Sequence, residues 1–311
     1  MEIPRKHASI VWKNGENMVP FSGKPGPRHP LRRVTLHALR QHPVALALGA
    51  GGARGWAHLG IWQALLERDI HPVAIAGTSM GALVGAFLAA DRYDALLDIA
   101  RSIDTVAKSL ALFLEFSVTS TGLTQARRVV KLLASNLPPE FADLRLPFAC
   151  IATDLRTAAP VTLSAGPLVP SIRASISIPG LFTPVDVPPH RLLVDGGLVD
   201  PVPVSAARAL APNATVIAVD VTADTSAPCS AEALLRPAYP LVPHSAIPTL
   251  AIRSLQIVET QVGLATLRAT PPDLLAVPPV GHIATLDFHR SAEAIRLGHD
   301  TLASLLDALP P

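Results

Sequence analysis

The chain has 311 residues, of which 49% are hydrophobic, 16% are charged and only 4% are aromatic, with a formal net charge of +2. No uninterrupted apolar run reaches the roughly 18 residues that cross a bilayer, and residues 1–7 lack the apolar segment of a secretory signal. We therefore expect a soluble or peripheral protein rather than an integral one. Nucleic-acid binding is not expected, because the sequence has neither a zinc-ligand pattern nor a basic helix with interleaved aromatic residues.

Residues 1–42 are predicted to form a basic arm. They carry eight Lys and Arg residues and two Glu residues, whereas the rest of the chain carries eighteen Lys and Arg residues and twenty-two Asp and Glu residues. Such an arm either tethers the protein to anionic lipid or is a solvated tail or oligomer-docking arm. The scattered spacing of the charges favours the second interpretation. Peripheral membrane contact stays open, and the oligomeric state is not predicted.

The first strands and helices alternate along the chain. Apolar strands are predicted at Val44–Leu48 and Val73–Ala76, with a helix from Arg54 to about Asp69 between them. A helix of mostly small residues follows from Ser79 to Ala90, and such a helix can lie very close to a sheet. This βαβ unit contains a parallel strand pair, so the sequence predicts an α/β fold.

The rest of the chain extends this pattern. Residues 92–135 are predicted to be mainly helical, and their apolar stretch 106–118 is a lid, a lipid-facing patch or, more commonly, a helix that covers the core. The later predictions are strands at Phe148–Thr153, Leu192–Val194, Thr215–Val221 and 274–277, a proline-rich loop over 223–250, and helices at 249–268 and Ser291–Leu309. No repeat is evident, so one α/β domain is expected over residues 43–306, behind the arm.

The two cysteines indicate neither a metal cluster nor a CxxC motif. Cys150 lies in an apolar stretch and is predicted to be buried, whereas Cys229 lies in a proline- and serine-rich loop and is predicted to be exposed. A disulfide between them is not expected. A reducing compartment fits best, which predicts a cytoplasmic protein, with peripheral contact at the inner face of the membrane left open.

The segment Gly77-Thr-Ser-Met-Gly81 has the G-x-S-x-G pattern of a nucleophile elbow and follows an apolar strand directly. Because Gly77 and Gly81 have no Cβ atom, the chain can turn sharply from strand to helix and present the Ser79 hydroxyl at the apex. Ser79 is therefore the candidate nucleophile for acyl transfer.

A second glycine cluster, Gly49–Gly55, ends the preceding strand. Backbone N–H groups of Gly51, Gly52 and the neighbouring Ala53 are candidate donors to an oxyanion, at the start of a predicted helix whose dipole favours negative charge. A dinucleotide site is the alternative. It is disfavoured because Arg54 occupies the place of the third glycine of G-x-G-x-x-G, and because no acidic residue follows the second strand.

A serine nucleophile also needs a base. A conventional α/β-hydrolase would supply a histidine, here one of His190, His244, His282, His289 or His299. That fold places its elbow after several strands, however, whereas Ser79 follows only the second strand. Asp195, at the end of an apolar strand and followed by two glycines, is the better candidate, since burial can raise a carboxyl pKa enough for direct base catalysis. Asp-Gly is also an ordinary turn signal.

Together these motifs resemble those of patatin-like phospholipases. The resemblance covers about residues 43–306 and looks most like the bacterial branch related to the esterase domain of neuropathy target esterase. It rests on the glycine loop Gly49–Gly60, the elbow Gly77–Gly81, the segment Ile172–Val185, the Asp195-Gly-Gly197 motif and the ending Asp287–Glu293.

The resemblance implies a three-layer α/β/α fold with a mainly parallel sheet, and hydrolysis of phospholipid or lysophospholipid esters without a metal or other cofactor. It implies Ser79 as nucleophile, Asp195 as general base without a catalytic histidine, and Gly51 and Gly52 as oxyanion donors. Ala50 departs from the family pattern, where many members have glycine, and would be strained if that position requires a positive φ. Positions expected to support the site are Gly49, Arg54, Gly77, Gly81 and Gly197. For both Arg54 and His58 a structural role is favoured.

Two other functions remain compatible with the same residues. One is a general esterase or an acyltransferase, which added acceptor alcohols would reveal by trapping the acyl-enzyme. The other is a non-catalytic regulatory protein, which the presence of both Ser79 and Asp195 disfavours. Headgroup, chain-length and positional selectivity depend on the shape of the pocket and are not predicted.

Overall fold

A computed structural model describes residues 34–113, 126–187, 191–224 and 247–310. Most of the predicted arm and most of the proline-rich loop lie outside these ranges. The predictions for Cys229, His190 and His244 likewise fall outside the described residues.

Eight strands in the described residues form one mixed sheet with the order β5-β6-β3-β2-β1-β7-β8, and β4 pairs with β3. The β1–β2, β2–β3, β1–β7 and β7–β8 pairs are parallel, whereas β3–β4, β3–β6 and β5–β6 are antiparallel. The strands are β1 Val44–Leu48, β2 Pro72–Thr78, β3 Phe148–Asp154, β4 Pro160–Leu163, β5 Val185–Val187, β6 Arg191–Asp195, β7 Thr215–Val219 and β8 Leu274–Ala276. The sheet is thus parallel at its centre and antiparallel at one edge.

Helices cover the two faces of this sheet. They are α1 Leu36–Gln41, α2 Ala57–Leu66, α3 Met80–Ala89, α4 Tyr93–Ser102, α5 Val106–Phe113, α6 Arg127–Asn136, α7 Leu168–Ser175, α8 Val204–Leu210, α9 Ile247–Ala269 and α10 Ser291–Asp307. None of the helices in the described ranges is long and apolar enough to span a membrane.

The two largest core clusters lie on opposite faces of the sheet, because strand side chains alternate between its faces. A smaller third cluster contains Ala152, Val161, Ala174 and Leu193. On β1, Val44, Leu46 and Leu48 belong to a large cluster that also contains residues of α2, α3 and α10. Ala45 and Ala47 belong to a second cluster, with residues of α8 and α9. All ten residues of α3 are buried, so the predicted close packing of this small-residue helix is confirmed.

The predicted central βαβ unit is confirmed, and β1 has the predicted bounds. The predicted helix at Arg54 begins instead as a 3-10 turn, Gly52–Trp56, which leads into α2. Short elements were missed, namely β4, β5, α7 and α8. Helix α1 lies within the segment predicted to be the arm, yet its Leu39 is 1% exposed and belongs to the large core cluster. The boundary at residues 42 and 43 remains a prediction.

Candidate active site

The predicted elbow is a sharp turn between β2 and α3. Ser79 occupies the turn with φ 54° and ψ −119°, a conformation that is sparsely populated for residues other than glycine and costs about 1–3 kcal/mol. The flanking glycines permit the turn: a Cβ atom on Gly77 would lie 2.3 Å from the carbonyl oxygen of Gly81, and one on Gly81 would lie 2.1 Å from that of Leu48. The elbow therefore requires glycine at both positions.

The Ser79 hydroxyl donates a hydrogen bond to Asp195, with 2.6 Å between Oγ and Oδ2. The two residues are 116 positions apart, and they are 5% and 1% exposed. Asp195 ends β6, and its other carboxylate oxygen accepts the N–H of Gly197 at 2.8 Å. The side chains predicted to be nucleophile and base are thus in direct contact.

Burial changes the proton affinity of the Asp195 carboxyl. Desolvation raises its pKa to about 7, against smaller opposing effects of the hydrogen bonds from Ser79 and Gly197. A carboxylate with this pKa is a much stronger base than an exposed one, and it is still ionised in a large share of molecules at neutral pH.

Glu259 on α9 is a second buried carboxyl beside Asp195, and sequence analysis missed it. Its Oε1 lies 2.7 Å from the position that a Cβ atom on Gly197 would take, and Asp195 Oδ1 lies 3.2 Å from the same point. Burial is the main effect that raises the Glu259 pKa to about 8; the charge of Asp195 adds to the rise and that of Arg54 opposes it. Burial therefore favours the protonated form of Glu259. A single glutamate in a predicted helix gave no signal of this contact.

The predicted oxyanion loop follows β1, and its backbone amides fall into two groups. The N–H groups of Gly49, Ala50 and Ala53 are engaged, since they donate to the carbonyl oxygens of Val219, Pro201 and Thr285 at 2.8–2.9 Å. The N–H groups of Gly51 and Gly52 have no hydrogen-bond partner among the described residues. The prediction for Ala53 therefore needs correction, because its amide is already used to hold the loop.

The backbone conformations at positions 50 and 52 show which of them needs glycine. Gly52 has φ 58°, and a Cβ atom there would lie 2.5 Å from the carbonyl oxygen of Thr285, so glycine is required. Ala50 is not among the residues with positive φ. The strain considered for Ala50 is therefore absent.

Arg54 and His58 fix the glycine loop through buried hydrogen bonds to main-chain carbonyl groups. Arg54 is 5% exposed and donates from Nε to the carbonyl oxygen of Ile283 at 3.0 Å; burial lowers its pKa, and the nearby Glu259 carboxyl counteracts this. Nε2 of the buried His58 lies 2.9 Å from the carbonyl oxygen of Gly49, and burial lowers the His58 pKa to about 4. Both contacts are to main-chain carbonyls, as expected of structural residues.

The histidines weighed as a triad base lie elsewhere in the described structure. Nε2 of His282 is 2.8 Å from Glu293, and Nε2 of His299 is 2.8 Å from Glu67. His289 lies in a 3-10 turn at Phe288–Arg290. No histidine in the described ranges has a hydrogen bond to Ser79 or Asp195.

An apolar pocket adjoins the elbow. Met80, the residue after Ser79, forms part of its wall, and all of its lining residues are hydrophobic. They come from the 3-10 turn after the glycine loop and from helices α3, α4 and α6: Trp56, Met80, Leu83, Leu96, Ile99, Val129 and Leu132.

Comparison with known proteins fits this geometry. The model of the patatin-like phospholipase family matches residues 46–208, which include both Ser79 and Asp195. The chain belongs to the patatin-like phospholipase family. This match confirms the predicted family and the predicted three-layer α/β/α fold.

Similar proteins include members of the NTE family and lysophospholipases. An NTE family protein of Mycobacterium tuberculosis is 42% identical over 163 residues, which are 52% of this chain and 44% of that protein. Lysophospholipase NTE1 of Candida glabrata is 33% identical over 284 residues, 86% of this chain and 16% of that protein. The chain thus spans less than half the length of these curated relatives. Among solved structures, VipD from Legionella pneumophila has the same fold, with a TM-score of 0.51, 16% identity and coverage of 86% of this chain and 67% of that one.

Proposed function

We propose that the protein is a serine acyl hydrolase that cleaves carboxylic ester bonds of phospholipids or lysophospholipids. The observation that carries this proposal is the 2.6 Å hydrogen bond from Ser79 to the buried Asp195, inside the segment matched by the family model. Relatives named lysophospholipase support the substrate class. The small apolar pocket lined by Met80, the residue after Ser79, favours a hydrocarbon group beside the elbow.

In the proposed mechanism Asp195 Oδ2 takes the proton of the Ser79 hydroxyl as Oγ attacks the ester carbonyl carbon. The N–H groups of Gly51 and Gly52 stabilise the negative charge that develops on the carbonyl oxygen. Protonated Asp195 then gives the proton to the leaving alcohol, and the acyl group stays on Ser79. Asp195 next takes a proton from water as the water oxygen attacks the acyl carbon. When the bond from that carbon to Ser79 Oγ breaks and the fatty acid leaves, Asp195 returns the proton to Oγ and restores the serine hydroxyl.

A fluorophosphonate probe tests the proposal, since it reacts covalently with an activated serine. We expect the probe to modify Ser79 alone, as determined by mass mapping, and the protein to release fatty acid from a lysophosphatidylcholine micelle. A folded protein that neither reacts with the probe nor hydrolyses this lipid would contradict the proposal. Added acceptor alcohols would show transfer in place of hydrolysis.

The acidity of Asp195 predicts the pH dependence of hydrolysis. Only ionised Asp195 can accept the Ser79 proton, and burial raises its pKa to about 7. We therefore expect kcat/KM to rise with pH through about 7 rather than through the ordinary aspartate range near 4. The measurement is a kcat/KM profile on a non-ionising ester, with folding monitored by circular dichroism. A rate that stays constant down to about pH 5 would show that Asp195 is not the base.

Filling the apolar pocket should change chain-length preference. Leu132 lines the pocket from α6, so Leu132→Trp places a larger ring where we propose that the acyl chain lies. We expect kcat/KM for long-chain esters to fall by about tenfold or more and that for butyrate esters to stay within about threefold. Ala134→Trp is the matched control, because Ala134 is on the same helix and exposed. Equal losses on short and long esters would place the acyl chain elsewhere.

We also propose that the basic arm contributes reversible contact with anionic membranes. Deletion should remove residues 1–33 only, because Leu39 of α1 packs in the core. Binding to phosphatidylserine vesicles should weaken and lose its salt dependence, whereas hydrolysis of a soluble ester should not change. Sedimentation with vesicles measures this. Unchanged partitioning would assign the arm another role, with oligomer contact the first alternative.

A further inference from the structure

Ser175, at the end of α7, is a buried hydroxyl in contact with the elbow. It is 0% exposed, its Oγ accepts the N–H of Ser79 at 3.0 Å, and it donates to the carbonyl oxygen of Ile151 at 2.5 Å. The direction of both bonds is fixed, because an N–H group only donates and a carbonyl only accepts. The hydroxyl therefore joins the main chain of the candidate nucleophile to β3.

The Ser175 hydroxyl links the two strands just beyond the last residue pair of β2 and β3. The pairing of β2 with β3 ends at Thr78 opposite Ile151, and Ser79 is the next residue. Ser79 is also the residue with φ 54° and ψ −119°. The Ser175 hydroxyl thus connects Ile151, the last residue of β3 that pairs with β2, to the N–H of Ser79, which lies beyond that pairing.

The chain just after Ser175 contacts the main chain of Asp195, the hydrogen-bond partner of Ser79. The N–H of Asp195 donates to the carbonyl oxygen of Ser177 at 2.9 Å. Ser177 itself is fixed by Arg173, whose guanidinium donates to Ser177 Oγ at 2.5 Å, and by the bond from Ser177 Oγ to the Arg173 carbonyl oxygen at 2.7 Å. Ser175, the last residue of α7, and Ser177, two residues later, therefore hold the main chains of Ser79 and Asp195 respectively.

We infer that Ser175 is a positioning residue that keeps the Ser79 hydroxyl within reach of Asp195 and of the ester carbonyl. The inference rests on the proposed function, in which Ser79 attacks the ester. Without the Ser175 hydroxyl, the Ser79 N–H is buried without an acceptor. The strained conformation of Ser79 then lacks the side-chain contact that holds this N–H in place. Ser79 then departs from the attack geometry, and the chemical step slows while the pocket that binds the substrate is unchanged.

Kinetic measurements compare Ser175→Ala with Ser171→Ala. Ser171 lies on the same helix, and its hydroxyl also donates to a main-chain carbonyl, that of Pro167 at 2.8 Å. We expect Ser175→Ala to lower kcat and the rate of fluorophosphonate labelling by about 10- to 100-fold with KM within about twofold. Ser171→Ala should keep kcat within about threefold, and Ser175→Cys, whose thiol is a weak acceptor, should lie between. A normal kcat in folded Ser175→Ala, or an equal loss in Ser171→Ala, overturns the inference.

Amide hydrogen exchange gives a readout that does not depend on activity. In folded Ser175→Ala, the peptide that contains residues 77–82 should exchange faster than in the wild-type protein, whereas Ser171→Ala should leave that peptide unchanged. Unchanged exchange in Ser175→Ala overturns the inference even if activity falls. If the wild-type protein neither labels nor hydrolyses esters, the proposed function fails, and the exchange result alone decides whether Ser175 holds the elbow.

Discussion

Ser79→Ala should reduce ester hydrolysis to background while the protein stays folded. The Ser79 Oγ is the atom that we propose attacks the ester, and no other hydroxyl among the described residues donates to the Asp195 carboxylate. Losing a catalytic serine leaves only the residual rate that the oxyanion donors and substrate binding supply. Turnover of a p-nitrophenyl ester and covalent fluorophosphonate labelling measure the loss.

The matched control is Ser205→Ala, because Ser205 is exposed on α8 and its loss should leave both readouts unchanged. Circular dichroism and the Tm establish that Ser79→Ala is folded. A purified, folded Ser79→Ala protein that retains more than about a hundredth of the wild-type turnover would remove Ser79 from the mechanism.

The central fold and the elbow at Ser79 followed from local sequence signals, whereas the role of Asp195 followed from its motif together with the family resemblance. Glycines at the end of β1 and on both sides of Ser79 mark places where the main chain must turn tightly, and an apolar run marks each central strand. Because β1 and β2 are parallel neighbours, their carboxyl ends lie at one edge of the sheet, where such motifs meet. The glycine loop and the Ser79 elbow were therefore predicted to lie together. Asp195 was predicted from its position after an apolar strand, its Asp-Gly-Gly motif and the family resemblance instead, because it ends β6, which is antiparallel to β3.

What the sequence did not predict depends on tertiary contacts. The amide of Ala53 has the same local sequence signal as those of Gly51 and Gly52, but the carbonyl of Thr285 reaches only Ala53. Glu259 approaches Asp195 from a distant helix, and its neighbours in sequence give no sign of the contact. Ser175 lies in a segment that resembles the family, yet its hydrogen bonds depend on the end of a helix too short to be predicted.

The antiparallel edge of the sheet was also not predicted from the sequence. Strands β4 and β5 have four and three residues, too few for alternation of apolar and polar residues to be recognised. β4 pairs with β3 and β5 pairs with β6. Asp195 itself is held by the antiparallel pair of β3 and β6, in which Ala152 of β3 lies opposite Asp195. The sequence identified the carboxylate but not the strand pairing that holds it beside Ser79.

Asp195→Asn should lower kcat/KM by about 10²–10⁴-fold, the usual effect of losing a general base. Asparagine keeps the shape and can still accept the N–H of Gly197, but it cannot take the Ser79 proton. The variant should also be more stable at high pH. Burial raises the Asp195 pKa to about 7, so the native state holds an extra proton below that pH and the free energy of unfolding falls as pH rises towards it. The Tm advantage of the variant should therefore grow from about pH 4 to about pH 7 and then level off.

Histidine substitutions separate this mechanism from a triad. In a Ser-His-Asp enzyme the histidine takes the serine proton and the carboxylate only orients the ring, whereas here Asp195 contacts Ser79 directly at 2.6 Å. Each histidine is therefore changed to Gln in turn, and each variant should keep kcat/KM within about tenfold, with any larger loss traceable to a lower Tm. The set is His58, His190, His244, His282, His289 and His299. One folded variant as inactive as Ser79→Ala would replace the direct transfer to Asp195 with a triad, and Asp195→Asn would then report the loss of an orienting residue rather than of the base.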